Sequence, residues 1–305
     1  MQKLIFYIAY PILWLLSTLP MPILYIISDF VFGLMYYVFG YRKEVIFGNL
    51  KTAFPEKSEN EIKSIAKKFY NHLTDIFLES LKTLSISKKE VKKRYTYKNP
   101  ELVNKYIAEG KSIALVGAHL ANWEWSVSLP LVLDTTVFGA YNKLRNETFE
   151  YKLKEKREKF GVKGVRTSDF IGMIKSNFEN KIPGAYILLS DQSPMIPKTF
   201  YWSKFFGVKV PIHTGAEMLA KKYDLVVINY RAKKIKRGYY EADFELITDT
   251  PNDFKNFEIS DKYLKITERN IKEQPALYLW SHKRFKHKDR YEEWQKLMAK
   301  RKQKK

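Results

Sequence analysis

The sequence predicts an α/β fold, a mixed and largely parallel sheet flanked by helices, preceded by an N-terminal hydrophobic helical segment that anchors the chain in a membrane. Three observations predict it. Short continuous apolar runs, SIALVG at 112–117, AYILL at 185–189 and LVVINY at 225–230, alternate with longer stretches of helical period. Those runs lack the polar alternation of a half-exposed sheet, so they suit parallel strands covered on both faces. Residues 4–41 are almost all apolar or aromatic, with Asp29 the one acid and neither Lys nor Arg among them.

The N-terminal run exceeds the roughly 20 residues that a bilayer-spanning helix needs. Pro20 and Pro22 divide it into helices near 4–19 and 23–39. Asp29 at mid-bilayer would cost about 2.5–3.5 kcal/mol, which places the second helix at the interface or against the protein body. The run is too long for a signal peptide, and no small-x-small site follows it. Arg42 and Lys43 come directly after it and put the rest of the chain on the cytoplasmic side. The chain therefore divides into a membrane anchor, residues 1–43, and one domain, residues 44–305.

Within the domain, Ser58-Glu59-Asn60-Glu61 reads as a capping box. Ile62, Ile65, Phe69, Leu73, Ile76, Phe77, Leu81 and Leu84 follow at helical spacing, so one long amphipathic helix begins there, with His72 and Asp75 as structural residues. Strands are predicted at 112–117, 137–141, 185–189 and 225–230, an edge strand at 239–247 and a last buried strand at 276–280. Helices are predicted at 122–133, 147–160, 169–178, 214–222 and 258–273. Residues 300–305 form a polybasic tail.

Hydrophobic residues make up 45% of the chain, enough for a real core. There are no cysteines, which excludes disulfides, thiolate metal sites and a cysteine nucleophile. Lys plus Arg number 54 against 33 Asp plus Glu, a net charge of +21. That charge favours an anionic partner. No nucleic-acid motif and no basic-aromatic stacking pattern accompanies it, so a membrane-bound nucleic-acid binder is the weakest of the readings it permits.

Chemistry narrows to few residues. The five histidines are His72, His119, His213, His282 and His287. His119 lies two residues beyond the run at 112–117, at the carboxyl end of a strand, where open α/β sheets bind ligands. Glu124 follows on the first helical turn, within reach of one ring nitrogen, and such a pair makes a general base. The spacing alone fits equally a histidine that caps the helix and a surface acid. Asp191-Gln192-Ser193 follows the run at 185–189 and so occupies the same rim. No Gly-x-Ser-x-Gly elbow is present. Gly110-Lys111-Ser112 ends like a P-loop, but Lys105 stands where the first glycine belongs and the strand follows instead of preceding. Histidine spacing gives no metal site.

The segment HLANWEW, with His119 and Glu124, resembles the signature of the bacterial lipid A late acyltransferases. Further segments match in the same order: Tyr141-Asn142-Lys143-Leu144-Arg145-Asn146, Arg157 with Phe160-Gly161, Asp191-Gln192, Phe205-Phe206-Gly207 with Thr214-Gly215, and Trp280-Ser281-His282-Lys283-Arg284-Phe285-Lys286. The resemblance runs from about residue 4 to residue 286. Glu124 stands where many members carry Asp, and Asn142-Lys143 where Arg-Pro is common. The resemblance implies transfer of an acyl chain from acyl–acyl carrier protein, or acyl-CoA, to a hydroxyl of a lipid A precursor, without a cofactor and without a metal. It implies His119 as base with Glu124 orienting it. It puts Asn122, Arg157, Asp191, Gln192, His282 and Arg284 around the substrates, Arg157 toward the carbonyl oxygen and His282 and Arg284 toward phosphate. The implied partners are acyl carrier protein, a glycolipid acceptor and the anionic inner-membrane surface, with the domain on the cytoplasmic face. Related enzymes acylate lysophospholipids or other lipids, so a lysophospholipid or aminolipid is the alternative acceptor.

Overall fold

The computed structural model describes residues 2–143 and 145–302, and their side chains except those of 2–5, Leu153, Arg157 and Lys302. Leu144, the side chain of Arg157 and the end of the basic tail, 303–305, therefore lie outside the described residues. The helices are α1 (Gln2–Thr18), α2 (Met21–Gly33), α3 (Lys43–Ala53), α4 (Glu59–Lys82), α5 (Lys88–Arg94), α6 (Glu101–Ala108), α7 (Glu147–Arg157), α8 (Phe170–Glu179), α9 (Gly215–Tyr223), α10 (Glu258–Glu273) and α11 (Tyr291–Lys302). The strands are β1 (Tyr95–Tyr97), β2 (Ile113–Gly117), β3 (Val137–Tyr141), β4 (Lys163–Arg166), β5 (Ala185–Leu189), β6 (Tyr201–Phe205), β7 (Val208–Ile212), β8 (Val226–Lys236) and β9 (Tyr239–Thr248).

Seven strands form the main sheet in the order β1-β9-β8-β2-β5-β3-β4. Every neighbouring pair is parallel except β8 with β9. The central strand β2 is buried along its whole length. Its side chains alternate: Ile113 and Leu115 join the core beneath α3, α4, α5 and α6, while Ala114 and Val116 join the core beneath α8, α9 and the start of α10. Covering on both faces is the physical reason its sequence is continuously apolar.

The long helix begins where the sequence places it. Ser58 accepts from the Glu61 backbone and the Glu61 carboxylate accepts from the Ser58 N–H at 2.9 Å, closing the capping box. His72 and Asp75 are buried on this helix. Pro20 starts α2, and beyond Gly33 the helix continues as a π-turn, Leu34–Val38. The stretch Met21–Val38 is long and apolar enough to cross a membrane, and 17% of it is buried.

Four expectations change. The segment at 239–247 is not an edge, because β1 pairs outside it and three residues of parallel ladder cover β9. The segment at 122–133 is 3₁₀ rather than α, Trp123–Leu131, with Pro130 within it. The run at 276–280 forms no strand; it is a 3₁₀ turn, Pro275–Leu277, followed by a single antiparallel bridge from Tyr278 to Leu120. The last 3₁₀ turn of the helix predicted at 147–160 is separate, Glu158–Phe160, and Gly161 ends it at φ +106°. Helices α3, α5, α6 and α11, strands β1 and β4 and the β6–β7 hairpin went unpredicted. The β6–β7 hairpin turns on Phe206 and Gly207, both at positive φ, which is the conformation a two-residue hairpin turn requires. Helix α11 docks through Trp294, whose Nε1 donates to Thr199 O at 3.0 Å.

Candidate active site

Parallel register builds the site. Gly117 at the end of β2 pairs with Leu189 at the end of β5. The residues two positions beyond each strand are His119 and Asp191, and they meet: His119 Nδ1 lies 2.8 Å from Asp191 Oδ1. Gly117 is required by close approach, since a Cβ there would stand 3.1 Å from the backbone oxygen of Tyr230. Its own carbonyl accepts from the Tyr263 hydroxyl at 2.5 Å, fixing the strand end.

The loop after β2 is held on both sides. Ala121 adopts φ +50°, a left-handed conformation that costs about 1–2 kcal/mol for a residue with a Cβ. Such strain persists only where the surroundings over-determine it. Here Ala121 N donates to Leu277 O at 3.0 Å and Leu279 N donates to His119 O at 3.1 Å. Residues 277–279 are therefore a brace for the His119 loop, which accounts for an apolar run that is not a strand. Asn122 Oδ1 accepts from Trp125 N at 3.0 Å and starts the 3₁₀ segment that carries Glu124.

The ring nitrogen assigned by sequence to Glu124 belongs to Asp191. This corrects the expected orienting partner, and register is the cause. With Nδ1–H donated to the buried Asp191 carboxylate, Nε2 carries the lone pair and is the atom able to take a proton. Gln192 stands 3.4 Å from that Nε2 through its amide nitrogen. Burial acts to lower the His119 pKa, but the charge and hydrogen bond of Asp191 outweigh it, with Glu124 adding. The imidazole therefore titrates above the ordinary histidine value. Burial likewise opposes the charged Asp191, yet the His119 contact holds its carboxyl below the usual carboxylate range. Trp123 packs edge-on against the His119 ring, centroids 5.3 Å apart.

Glu124 faces a different feature. It lines a largely apolar cavity of about 610 Å³, walled by Tyr10 and Leu13 of α1, Phe77, Ser80 and Leu81 at the end of α4, Leu84 just beyond it, Val127, and Phe149 of α7, with Arg145 and Lys156 also in the lining. That volume falls within the range of small-molecule sites. His119 is not part of the cavity lining, but the Glu124 charge is felt at its ring.

Asn122 is fully buried, and both ends of its amide are used inside the protein. His282 Nε2 accepts from Ser193 N at 3.0 Å, and burial first, with nearby Arg284 and Lys286, pushes its pKa down to about 4. It is a neutral acceptor locked to the segment after β5. Arg284 is 1% exposed, donates to Pro211 O at 3.2 Å and lies over the Phe205 ring. This segment folds inward, pinned by Asn49, whose Nδ2 donates to Trp280 O and His282 O at 2.7 Å each, and Arg284 Nε and Nη2 are buried there without a partner among the described residues. Arg157 closes α7. Among the described residues no group of three acidic or histidine side chains could hold a metal. Arg145 and Lys156 were not singled out from sequence as site residues; nothing in a run of charged helix marks which cations turn toward a cavity.

The site thus pairs a histidine with a buried carboxylate at the carboxyl end of a largely parallel sheet, and Glu124 of the same segment lines a largely apolar cavity. The chain belongs to the bacterial lipid A biosynthesis acyltransferase family, whose sequence model matches residues 1–287. It is similar to the lipid A biosynthesis lauroyltransferase of Escherichia coli (strain K12), 22% identical over 279 residues that cover 90% of this chain and 89% of that one. The protein is thus an acyltransferase.

Proposed function

We propose that the chain moves a fatty acyl group from an acyl carrier protein thioester to a hydroxyl of a lipid A precursor, with His119 as general base. The observation that carries the mechanism is the 2.8 Å contact between His119 Nδ1 and Asp191 at the carboxyl rim of the sheet, with Glu124, whose charge reaches the His119 ring, in the cavity lining. Asp191 fixes the tautomer; Nε2 removes the acceptor hydroxyl proton; the alkoxide attacks the thioester carbonyl; the thiolate leaves and takes the proton back from the imidazolium. Such base catalysis contributes about 10²–10⁴-fold. Glu124 and Asp191 both stabilise the imidazolium that forms between the two steps. The cavity takes an acyl chain, and Arg145 and Lys156 meet anionic groups at its mouth. Arg157 is the proposed donor to the oxyanion. No cofactor or metal takes part.

The setting we propose is the cytoplasmic face of the inner membrane. Ile8, Ile12, Leu15, Ile26 and Phe30 are exposed apolar side chains on α1 and α2. The opposite side of α2 is tied to the body: Ser28 Oγ donates to Asp75 at 2.8 Å, and Arg237 donates to both Asp29 and Asp75. This supports residues 1–43 as an anchor lying along the membrane surface on the domain formed by 44–305. The net charge of +21 suits an anionic leaflet and an acidic carrier protein.

The test supplies membranes containing the protein with acyl–acyl carrier protein or acyl-CoA, crossed with lipid A precursor, lysophospholipid and aminolipid acceptors, and follows products by mass spectrometry. A single acyl addition to the lipid A precursor from the carrier-protein donor is expected. Acylation confined to lysophospholipid or aminolipid would reassign the acceptor.

A further inference from the structure

The residue that joins the anchor to the catalytic loop is Glu79, an acid wholly buried on α4. Three elements aim donors at its carboxylate. Tyr25 OH of α2 donates to Oε1 at 2.8 Å, while Tyr240 OH of β9 and Asn122 Nδ2 both donate to Oε2 at 2.7 Å. The backbone carbonyl of Glu79 also accepts from Trp125 Nε1 at 3.0 Å. Asn122 and Trp125 are the two ends of the turn that starts the Glu124 segment, and Asn122 directly follows the strained Ala121. The ionised carboxylate accepts from all three donors; burial pushes the Glu79 carboxyl up to about 7, and the Tyr240 and Tyr25 hydrogen bonds favour the ionised form against it.

We propose that Glu79 is a positioning residue: by holding Asn122 it sets the turn between His119 and Glu124, and by holding Tyr25 it ties that turn to the anchor helix α2. This rests on the reading of His119 and Glu124 as the site. Glu79 touches no substrate and acts through Asn122. Phe77, Ser80 and Leu81 of α4 line the cavity, so the helix that walls the acyl site also carries the bridge to the base.

The test is an exchange of partners. Asn122→Asp sets a second carboxylate against Glu79 and removes the donor. Glu79→Gln combined with Asn122→Asp restores one donor–acceptor pair in the reverse sense, since the Gln amide donates to the Asp. Transfer is measured well below each variant's unfolding temperature, alongside the unfolding midpoint. Misplacement of a reacting group by about 1 Å costs on the order of 10²-fold in rate, so Asn122→Asp is expected to lose about that much in kcat with little change in KM, and the double variant to regain most of it. Tyr25→Phe, which removes one hydroxyl, is expected to lower kcat in the same direction while the acidic limb of the pH profile stays in place. A folded Asn122→Asp with wild-type kcat overturns the proposal, as does a folded double variant no better than Asn122→Asp. Wild-type kcat in Tyr25→Phe overturns the link to α2. His119→Ala is run beside these: if it remains active, the site reading itself fails, whereas an inactive His119→Ala with an inert exchange rejects Glu79 alone.

Discussion

Replacing Asp191 by Asn changes one atom type at the centre of the site. The carboxylate is 1% exposed and its Oδ1 lies 2.8 Å from His119 Nδ1. Hydrogen bonds to charged groups contribute about 1.5–3 kcal/mol. If that contribution is made to the imidazolium of the transition state, it converts at 1.36 kcal/mol per decade to a fall of about 10- to 150-fold in kcat. The pH profile moves as well, and its sign is fixed by the structure. The His119 pKa stands above the ordinary value because Asp191 outweighs burial. Without that charge, burial lowers it with only Glu124 opposing. A general base works when neutral, so activity rises with pH through the His119 pKa, and the acidic limb of Asp191→Asn shifts to lower pH. Initial rates of acyl transfer from pH 5 to 9, fitted for kcat at saturating donor, read both effects. A variant with wild-type kcat and an unmoved acidic limb would refute the role given to Asp191.

Gly117→Ala is expected to destabilise the protein by about 1–3 kcal/mol, since its Cβ meets the Tyr230 backbone oxygen at 3.1 Å; a denaturant midpoint measures it. Val127→Trp fills the cavity behind Glu124, and kcat/KM is expected to fall for long acyl donors more than for short ones, read from a chain-length series. Arg237→Gln removes the ion pairs that join Asp29 of α2 to the buried Asp75; Lys234 and Ser28 remain beside Asp75, so the expected loss is about 1.5–3 kcal/mol in thermal or denaturant unfolding. Ser58→Ala removes the cap of α4 and is expected to cost about 1 kcal/mol in the same measurement.

Much of this architecture is legible in sequence because it is local. The capping box at Ser58, the prolines that divide α1 from α2, and the unbroken apolar run of β2 each state their element within a few residues. His119 and Asp191 could both be placed on one rim from the strands that precede them. Their pairing could not, because it depends on β5 lying next to β2 in register, a non-local fact. Sequence proximity pointed instead to Glu124, which shares the loop but turns toward the cavity. The run at 276–280 misleads for a related reason: its apolar residues are buried as a brace under the His119 loop, and a brace and a strand have the same composition. Arg284 and His282 look like phosphate ligands in a basic segment, and only the fold shows that Asn49 draws that segment inward. Glu79 left one signal, an acid on the face of α4 that otherwise buries Leu73 and Ile76.

The central claim is that His119 is the base of an acyl transfer to a lipid hydroxyl. The direct measurement compares wild type with His119→Ala in membranes given acyl–acyl carrier protein and lipid A precursor, with mass spectrometry following the mass of the acceptor. One added acyl chain is expected in the wild type and none in the variant at equal amounts of folded protein. Equal acylation by the two would contradict that claim.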